Sequence, residues 1–203
     1  MADLILDWNT KINLISRNPP PTKDHVLNRH ILPSVALLNT NLLPSPLSPT
    51  SSIKVADVGT GGGFPGLPLA ISCPESDFTL IDSVNKKLVA VKSMADTLGL
   101  KNVRVHHGRA EEMKLAPSDR FDLILGRSVS SLPNFCSWVS PLLSPSGKLL
   151  YIKGGDLGEE TRVEPRARVP ISTLAGIPDV SDKDALLFTY DDVKRIAGEF
   201  KPK

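Results

Sequence analysis

Residues 53–66 have the sequence IKVADVGTGGGFPG, a short apolar strand that ends in a glycine-rich turn. Four more short apolar runs follow, at residues 78–81, 103–106, 121–126 and 148–153. Segments with apolar residues at helical spacing separate these runs, and 84–98 is the clearest of them. Strands that are apolar throughout and alternate with helices are typical of a parallel sheet covered on both faces. The sequence therefore predicts an α/β fold, with a late edge strand at 186–190.

Polar or glycine residues follow each of the five predicted parallel strands. They are Asp57–Gly66, Asp82–Ser83, Gly108–Glu111, Arg127–Ser128 and Lys153–Gly155. Ligands of open parallel sheets bind at the carboxyl ends of the strands. A glycine loop lets the backbone approach a ligand closely, and an acid about 20 residues later, as Asp82 is here, can accept the hydroxyls of a ribose. These residues predict a ligand that contains a nucleoside.

The glycine loop fits two nucleoside cofactors. Residues 61–66 satisfy the GxGxxG pattern of dinucleotide sites, whereas residues 57–63 have the D-x-G-x-G-x-G pattern of S-adenosylmethionine-dependent methyltransferases. The carboxylate of Asp57 would repel a pyrophosphate but suits a ligand that carries an ammonium and a sulfonium. The acid therefore favours S-adenosylmethionine, with Asp57, Gly59, Gly61 and Gly63 as residues of the cofactor loop.

Composition indicates one ordinary globular protein. The 203 residues are 40% hydrophobic and carry a formal charge of +2, so bulk charge does not hold this chain to nucleic acid. No apolar run approaches the roughly 20 residues of a membrane span. His106 and His107 are adjacent on a predicted strand and point to opposite faces, so we expect no metal site there.

Three parts follow from the distribution of proline and serine. We predict an N-terminal helical segment at 1–43, a Pro/Ser-rich linker at 44–52 and the α/β domain at 53–203. In the first part, residues 3–16 have helical spacing up to the prolines at 19–21.

Three further elements are less regular. A second N-terminal helix is predicted at 24–40, and Pro33 must kink or split it. Near the end of the chain, we predict a weak strand at 170–174 and a polar, helical tail at 191–203.

Several motifs together resemble one enzyme family. They are VADVGTGGGFPGLPLA at 55–70, LIDS at 80–83, GRAEE at 108–112, GRSVSSL at 126–132 and YIKGG at 151–155, with DWNTKINLIS at 7–16 and RHILPS at 29–34 upstream. They resemble the RsmG (glucose-inhibited division protein B) family of small-subunit ribosomal RNA guanine-N7 methyltransferases. The resemblance implies a class I methyltransferase fold, which is a Rossmann-like, mostly parallel sheet of seven strands with an antiparallel last strand. It also implies S-adenosylmethionine as cofactor and small-subunit ribosomal RNA as partner.

The resemblance implies roles for individual residues as well. Gly59 and Phe64 would contact the cofactor, Asp82 and Ser83 would hold its ribose, and Ala110 and Glu111 would lie at the edge of the adenine. Arg127 would line the pocket near the methyl donor and target base, as the candidate catalytic residue. Arg109 and Lys153 would face the RNA.

The chain departs from the family pattern in three places. Pro33 replaces an acid, helices that the family carries before Trp8 are largely missing, and the region after 155 is shorter. These departures leave open a protein that binds cofactor without methylating RNA. The GxGxxG match leaves a second alternative, an NAD-dependent oxidoreductase. We expect a monomer in the cytoplasm, or in the plastid stroma if the source is eukaryotic.

Overall fold

A computed structural model of the chain describes residues 1–39, 41, 46–155, 160–176 and 182–199. Within these ranges seven strands form one sheet. They are β1 Lys54–Val58, β2 Asp77–Asp82, β3 Val103–His107, β4 Phe121–Arg127, β5 Leu143–Lys153, β6 Ala167–Pro170 and β7 Asp184–Thr189. The predicted linker at 44–52 lies partly outside the described residues, because 44 and 45 are not among them.

The strand order of the sheet is β3-β2-β1-β4-β5-β7-β6. The first five strands are parallel to one another, whereas β7 pairs antiparallel with both β5 and β6. This order confirms the predicted class I methyltransferase fold. The order changes direction between β1 and β4, and in open α/β sheets that position opens a crevice for a ligand.

Helices cover both faces of the sheet, as predicted. They are α1 Ala2–Lys11, α2 Lys23–Val26, α3 Leu32–Val35, α4 Gly66–Ser72, α5 Asn85–Thr97, α6 Leu132–Val139, α7 Ile171–Ala175 and α8 Tyr190–Gly198. Alternate strand residues enter two hydrophobic clusters: Val55 and Leu123 pack with α1, α4, α5 and α7, whereas Ala56 and Ile124 pack with α6 and α8. Because both of their faces are covered, the central strands β1 and β4 are mostly buried and apolar, whereas the edge strands β3 and β6 have exposed polar residues.

Helix α1 ends at Lys11, so the prediction of a helix up to residue 16 was wrong. The buried Asn9 explains the early end, because its side-chain oxygen accepts the backbone N–H groups of Leu14 (2.8 Å) and Ile15 (3.0 Å). A side chain that binds the backbone five and six residues later competes with helix continuation. The chain therefore turns before it reaches the prolines.

Pro33 splits the second N-terminal helical segment, as predicted. Helix α2 passes into a π-helical turn at Leu27–Ile31, and α3 and a 3-10 turn at Ala36–Leu38 follow. In the π turn, the N–H of Leu32 bonds to the carbonyl of Leu27, five residues back. Proline has no N–H to give to the preceding turn, and such wider turns are one way a helix accommodates it.

The C-terminal region differs from its prediction in one element. Residues 171–175 form helix α7 and not the predicted strand, because the edge strand β6 lies earlier and ends at Pro170. The predicted late strand is confirmed as β7. Helix α8 follows it and is capped by Thr189 and Asp192, while residues 200–203 of the predicted helical tail lie outside the described residues.

Candidate active site

A cavity of about 340 Å³ opens at the carboxyl ends of β1, β2, β3 and β4. Pockets for small molecules usually have about 300 to 1,000 Å³. Its wall includes seven of the residues that the sequence predicted: Gly59, Asp82, Ser83, Arg109, Ala110, Glu111 and Arg127. Five predicted residues are not in the wall, namely Asp57, Gly61, Gly63, Phe64 and Lys153. The structure therefore brings together the ends of four strands, and places part of the glycine loop behind the wall.

Asp82 ties the glycine loop to the start of α5. One carboxylate oxygen accepts the N–H of Gly61 (2.9 Å) and the other accepts the N–H of Val84 (2.8 Å). The side chain lies in the cavity wall at the end of β2, and the residue is only 8% exposed. A carboxylate has about four acceptor positions, so each oxygen keeps a lone pair for a ligand hydroxyl.

Asp57 is buried beneath the loop. Its Oδ2 accepts the hydroxyl of Thr60 (2.6 Å) and the N–H of Gly66 (2.9 Å), which joins the two ends of the glycine loop. Its Oδ1 is buried without a hydrogen-bond partner among the described residues. Burial raises the pKa of Asp57 to about 6, although both hydrogen bonds oppose this shift. In this geometry Asp57 stabilises the conformation of the glycine loop through its contacts with Thr60 and Gly66.

Three glycines of the loop, Gly59, Gly61 and Gly63, have backbone angles that other residues rarely adopt. Gly59 has φ +73°, and a Cβ there would lie 2.8 Å from the side chain of Val129. Gly61 has φ +58°, but the nearest atom to an added Cβ is the Gly59 carbonyl oxygen at 3.9 Å. Gly59 is therefore required by both conformation and space, whereas Gly61 is required by conformation alone.

Arg127 ends β4 and is held by the N-terminal helical segment. Its Nη2 donates to His30 Nδ1 (3.1 Å) and to the carbonyl of Arg29 (3.3 Å). The His30 ring packs on Phe64, with 5.0 Å between ring centroids. Phe64 is thus linked to the cavity through His30 and Arg127 rather than as part of the wall. Burial, and secondarily the charge of Arg127, lower the pKa of His30 to about 3, so its imidazole is neutral.

Both residues predicted to face RNA have carboxylate partners. Arg109 Nε donates to Glu111 Oε1 over 2.7 Å, and the side chain of Arg109 is more exposed (60%) than that of Glu111 (31%). Lys153 pairs with Glu160 Oε1 in a partly buried position, and Glu160 Oε2 accepts the N–H of Leu132. The RNA-facing roles of Arg109 and Lys153 stay predictions, and the structure adds that each cation is paired in the free protein.

The cavity wall also contains residues that sequence reasoning missed as site residues. They are Val58, Ile81, Val84, Lys87, Gly108, Ser128, Val129 and Trp138. Trp138 also contacts Phe135 of its own helix, with 6.3 Å between ring centroids. Ser128 has φ +51°, a rare angle for a residue with a side chain, and its hydroxyl accepts from Lys183 Nζ (2.8 Å). For Ser128 and Val129, the only signal in the sequence was their position just after a predicted strand.

The described residues contain no group of three or more His, Cys, Asp or Glu side chains placed to hold a metal ion. Among the same residues, no helix has both the length and the apolar character that a membrane crossing requires.

Comparison with known proteins settles the family. The model of the rRNA small subunit methyltransferase G family, GidB, matches residues 1–173. The chain belongs to this family. It is 38% identical over 202 residues to ribosomal RNA small subunit methyltransferase G of Flavobacterium johnsoniae, covering 97% of this chain and 87% of the relative. The methyltransferase G of Chlorobium phaeobacteroides is 41% identical over 161 residues, covering 79% of this chain and 67% of the relative.

Solved structures agree with methyltransferase G membership at the level of the fold. A SAM-dependent methyltransferase from Aquifex aeolicus aligns with a TM-score of 0.51 and 19% identity, covering 86% of this chain and 80% of that one. The [4+2]-cyclase SpnF aligns with a TM-score of 0.54 and 19% identity, covering 70% and 61% of the two chains. A cyclase and a methyltransferase on one fold show that the fold alone does not determine the reaction. The family match therefore confirms the predicted methyltransferase class over the NAD-dependent alternative.

Proposed function

We propose that this chain transfers the methyl group of S-adenosylmethionine to N7 of a guanine in small-subunit ribosomal RNA. The observation that carries the proposal is the match of residues 1–173 to the methyltransferase G family. The cavity at the carboxyl ends of β1, β2, β3 and β4 supports it, because this is where a parallel sheet of this order binds its ligand.

The residues of the wall fit the cofactor. Asp82 has acceptor positions left for the two ribose hydroxyls, and Ser83 adds a hydroxyl beside it. Ala110 and Glu111 follow β3, where they would lie along the adenine. The glycine loop at the end of β1 would hold the methionine part, with Gly59 in the wall and the Asp57 carboxylate behind it.

The chemistry requires positioning more than proton transfer. Guanine N7 has an available lone pair, so its attack needs no general base. When bound, S-adenosylmethionine supplies an electrophilic methyl group on a sulfonium. The protein has to hold N7 in line with that methyl group and to favour the shift of charge onto the purine. Arg127 at the end of β4 can donate a hydrogen bond to guanine O6 or to a phosphate from the cavity wall.

The RNA would approach the edge of the sheet where the cavity opens. Arg109, in the wall, and Lys153, at the end of β5, are our proposed phosphate contacts there. Binding of RNA would exchange their carboxylate partners, Glu111 and Glu160, for phosphates. We further propose that the protein works as a monomer in the compartment of the small subunit, which is the cytoplasm, or the plastid stroma for a eukaryotic source.

The test is methyl transfer from labelled S-adenosylmethionine to small ribosomal subunits, or their RNA, that lack this methyl group. We expect label in 7-methylguanosine after digestion to nucleosides, and none with Asp82→Ala at the same cofactor concentration. Label in another nucleoside would refute guanine N7 as the target. Tight binding of S-adenosylhomocysteine without any transfer would instead identify a protein that binds cofactor but does not methylate RNA.

A further inference from the structure

The N-terminal helical segment holds Arg127 in place through two acceptors. Nη2 donates to both His30 Nδ1 and the Arg29 carbonyl, which lie 97 and 98 residues away in the sequence. Arg127 itself is in the cavity wall at the end of β4. Two acceptors on one nitrogen fix the direction of a guanidinium plane more tightly than a single contact would.

The Arg29 carbonyl can accept from Arg127 because of Pro33. In a regular α-helix the carbonyl of Arg29 would accept the N–H of the residue four positions later, which is Pro33. Proline has no N–H, and the segment forms a π turn at this point. The Arg29 carbonyl therefore receives no N–H from position 33, and Arg127 donates to it over 3.3 Å. The departure from the family pattern at position 33 thus has a structural consequence at the site.

His30 Nδ1 can accept from Arg127 because its imidazole is neutral. The ring is half-buried and packed on Phe64, and Arg127, Lys183 and Arg29 place positive charge around it. These surroundings disfavour an imidazolium, so Nδ1 keeps a lone pair and the ring proton lies on Nε2. A protonated ring would present an N–H to the guanidinium and would repel it.

The remaining donors of Arg127 are free for a ligand. A guanidinium has five N–H donors, and the two hydrogen bonds to the helical segment both use Nη2. Within the described part of the chain, Nε and Nη1 bond to no other residue, so three donors stay available at the cavity wall.

We propose that His30 and the Arg29 carbonyl, to which Pro33 can give no N–H, position the Arg127 guanidinium toward the target guanine. His30 is a positioning residue in this arrangement, and it does not touch the substrate. The inference rests on the proposed methyl transfer to RNA, and it names the part of the fold that orients the one charged side chain at the end of β4.

Substitutions at His30 separate positioning from packing. His30→Leu keeps an apolar group against Phe64 but removes the acceptor, and we expect kcat for RNA methylation to fall about tenfold to a hundredfold. His30→Gln offers a side-chain oxygen to Arg127 and should recover most of this loss. Affinity for S-adenosylhomocysteine should stay within about twofold of the parent in both, because cofactor contacts are retained. The matched control is His25→Leu, since His25 lies on the same segment, 5.9 Å from the His30 ring, without a bond to Arg127.

Pro33→Ala tests the carbonyl independently of the imidazole. It returns an N–H to the helix, which competes with Arg127 for the Arg29 carbonyl, so kcat should fall several-fold while His30 is unchanged. Parental kcat in both His30→Leu and Pro33→Ala would overturn the proposal. Loss of cofactor affinity at unchanged kcat would overturn it as well, because Arg127 would then serve the cofactor alone.

Nitrogen NMR of the imidazoles tests the contact between His30 and Arg127 without a measurement of activity. Nδ1 of His30 should stay unprotonated from about pH 5 to 8, and its resonance should move in Arg127→Lys but not in Lys101→Ala. Lys101 precedes β3 and lies at the opposite edge of the sheet. A resonance that is indifferent to Arg127→Lys would refute the contact. If the parent protein methylates no RNA but this resonance moves in Arg127→Lys, the proposed function is refuted while the contact between His30 and Arg127 is confirmed.

Discussion

Replacement of Asp82 by alanine tests whether the end of β2 holds the cofactor ribose. In the free protein this carboxylate accepts the N–H of Gly61 over 2.9 Å and that of Val84 over 2.8 Å. The substitution therefore removes a proposed ligand contact and two internal ones together. The two effects are separable, because only the first depends on the cofactor.

The size of each effect follows from the contacts. Loss of a charge-assisted, bidentate contact to a ribose should cost about 2 to 4 kcal/mol of binding, or about thirty-fold to a thousand-fold in affinity. Each N–H that loses its partner should lower the free energy of unfolding by about 1 to 3 kcal/mol, with the smaller value wherever water can reach it. Asp82→Asn keeps one acceptor oxygen for the loop, so it should lose less stability than alanine.

The assays are calorimetric titration with S-adenosylhomocysteine and urea unfolding without it. Asp77→Ala is the matched control, since Asp77 begins the same strand at the opposite, exposed end. The control should change affinity by less than twofold. A change of less than threefold in Asp82→Ala itself would refute the assignment of the ribose to this strand end.

Three further predictions concern the loop and the RNA face. Gly61→Ala and Gly99→Ala impose the same left-handed strain, at φ +58° and +70°, so each should lower the free energy of unfolding by about 1 to 2 kcal/mol. Only Gly61→Ala should weaken the binding of S-adenosylhomocysteine in calorimetry. Equal affinities in the two variants would mean that the loop is a turn and not a cofactor site. Because burial raises the native pKa of Asp57 from 3.8 to about 6, the free energy of unfolding should fall by about 3 kcal/mol as pH rises between these values, and urea titrations of Asp57→Asn should lack this fall. Arg109→Ala with Lys153→Ala should flatten the slope of log K for RNA against log salt by about one to two units at unchanged cofactor affinity, and an unchanged slope with weaker cofactor binding would move both residues into the pocket.

The sheet was predictable because its central strands are buried on both faces. Strand β1, for example, is buried from Val55 to Val58, and such a strand is visible in the sequence as a continuous apolar run. The five parallel strands were all found from apolar runs. Four of them agree with the prediction to within one residue at each end, whereas β5 begins at Leu143, five residues before the predicted start. The seven-strand count and the antiparallel β7 came from the family resemblance, since periodicity carries no information on strand order.

Side-chain contacts that leave no pattern in the sequence account for what it did not predict. The end of α1 depends on where the Asn9 side chain points, and the pairing of Lys153 depends on Glu160, beyond a segment of Gly and Asp with no regular pattern. The wall position of Trp138 depends on how α6 packs beside β4. In each case a local pattern was compatible with several tertiary partners, and only the folded chain selects one.

The acid at position 57 has two possible explanations, a contact with the cofactor and a contact with the glycine loop itself. The sequence argument used the charge of Asp57 to favour a sulfonium over a pyrophosphate. In the structure, Asp57 first binds the loop itself, at Thr60 and Gly66, while Asp82 binds its middle at Gly61. Two carboxylates on opposite sides of a turn of this shape would be useful whatever the ligand. The acid at position 57 is therefore weaker support for S-adenosylmethionine than its charge alone implies, and the family match is what decides between the two cofactors.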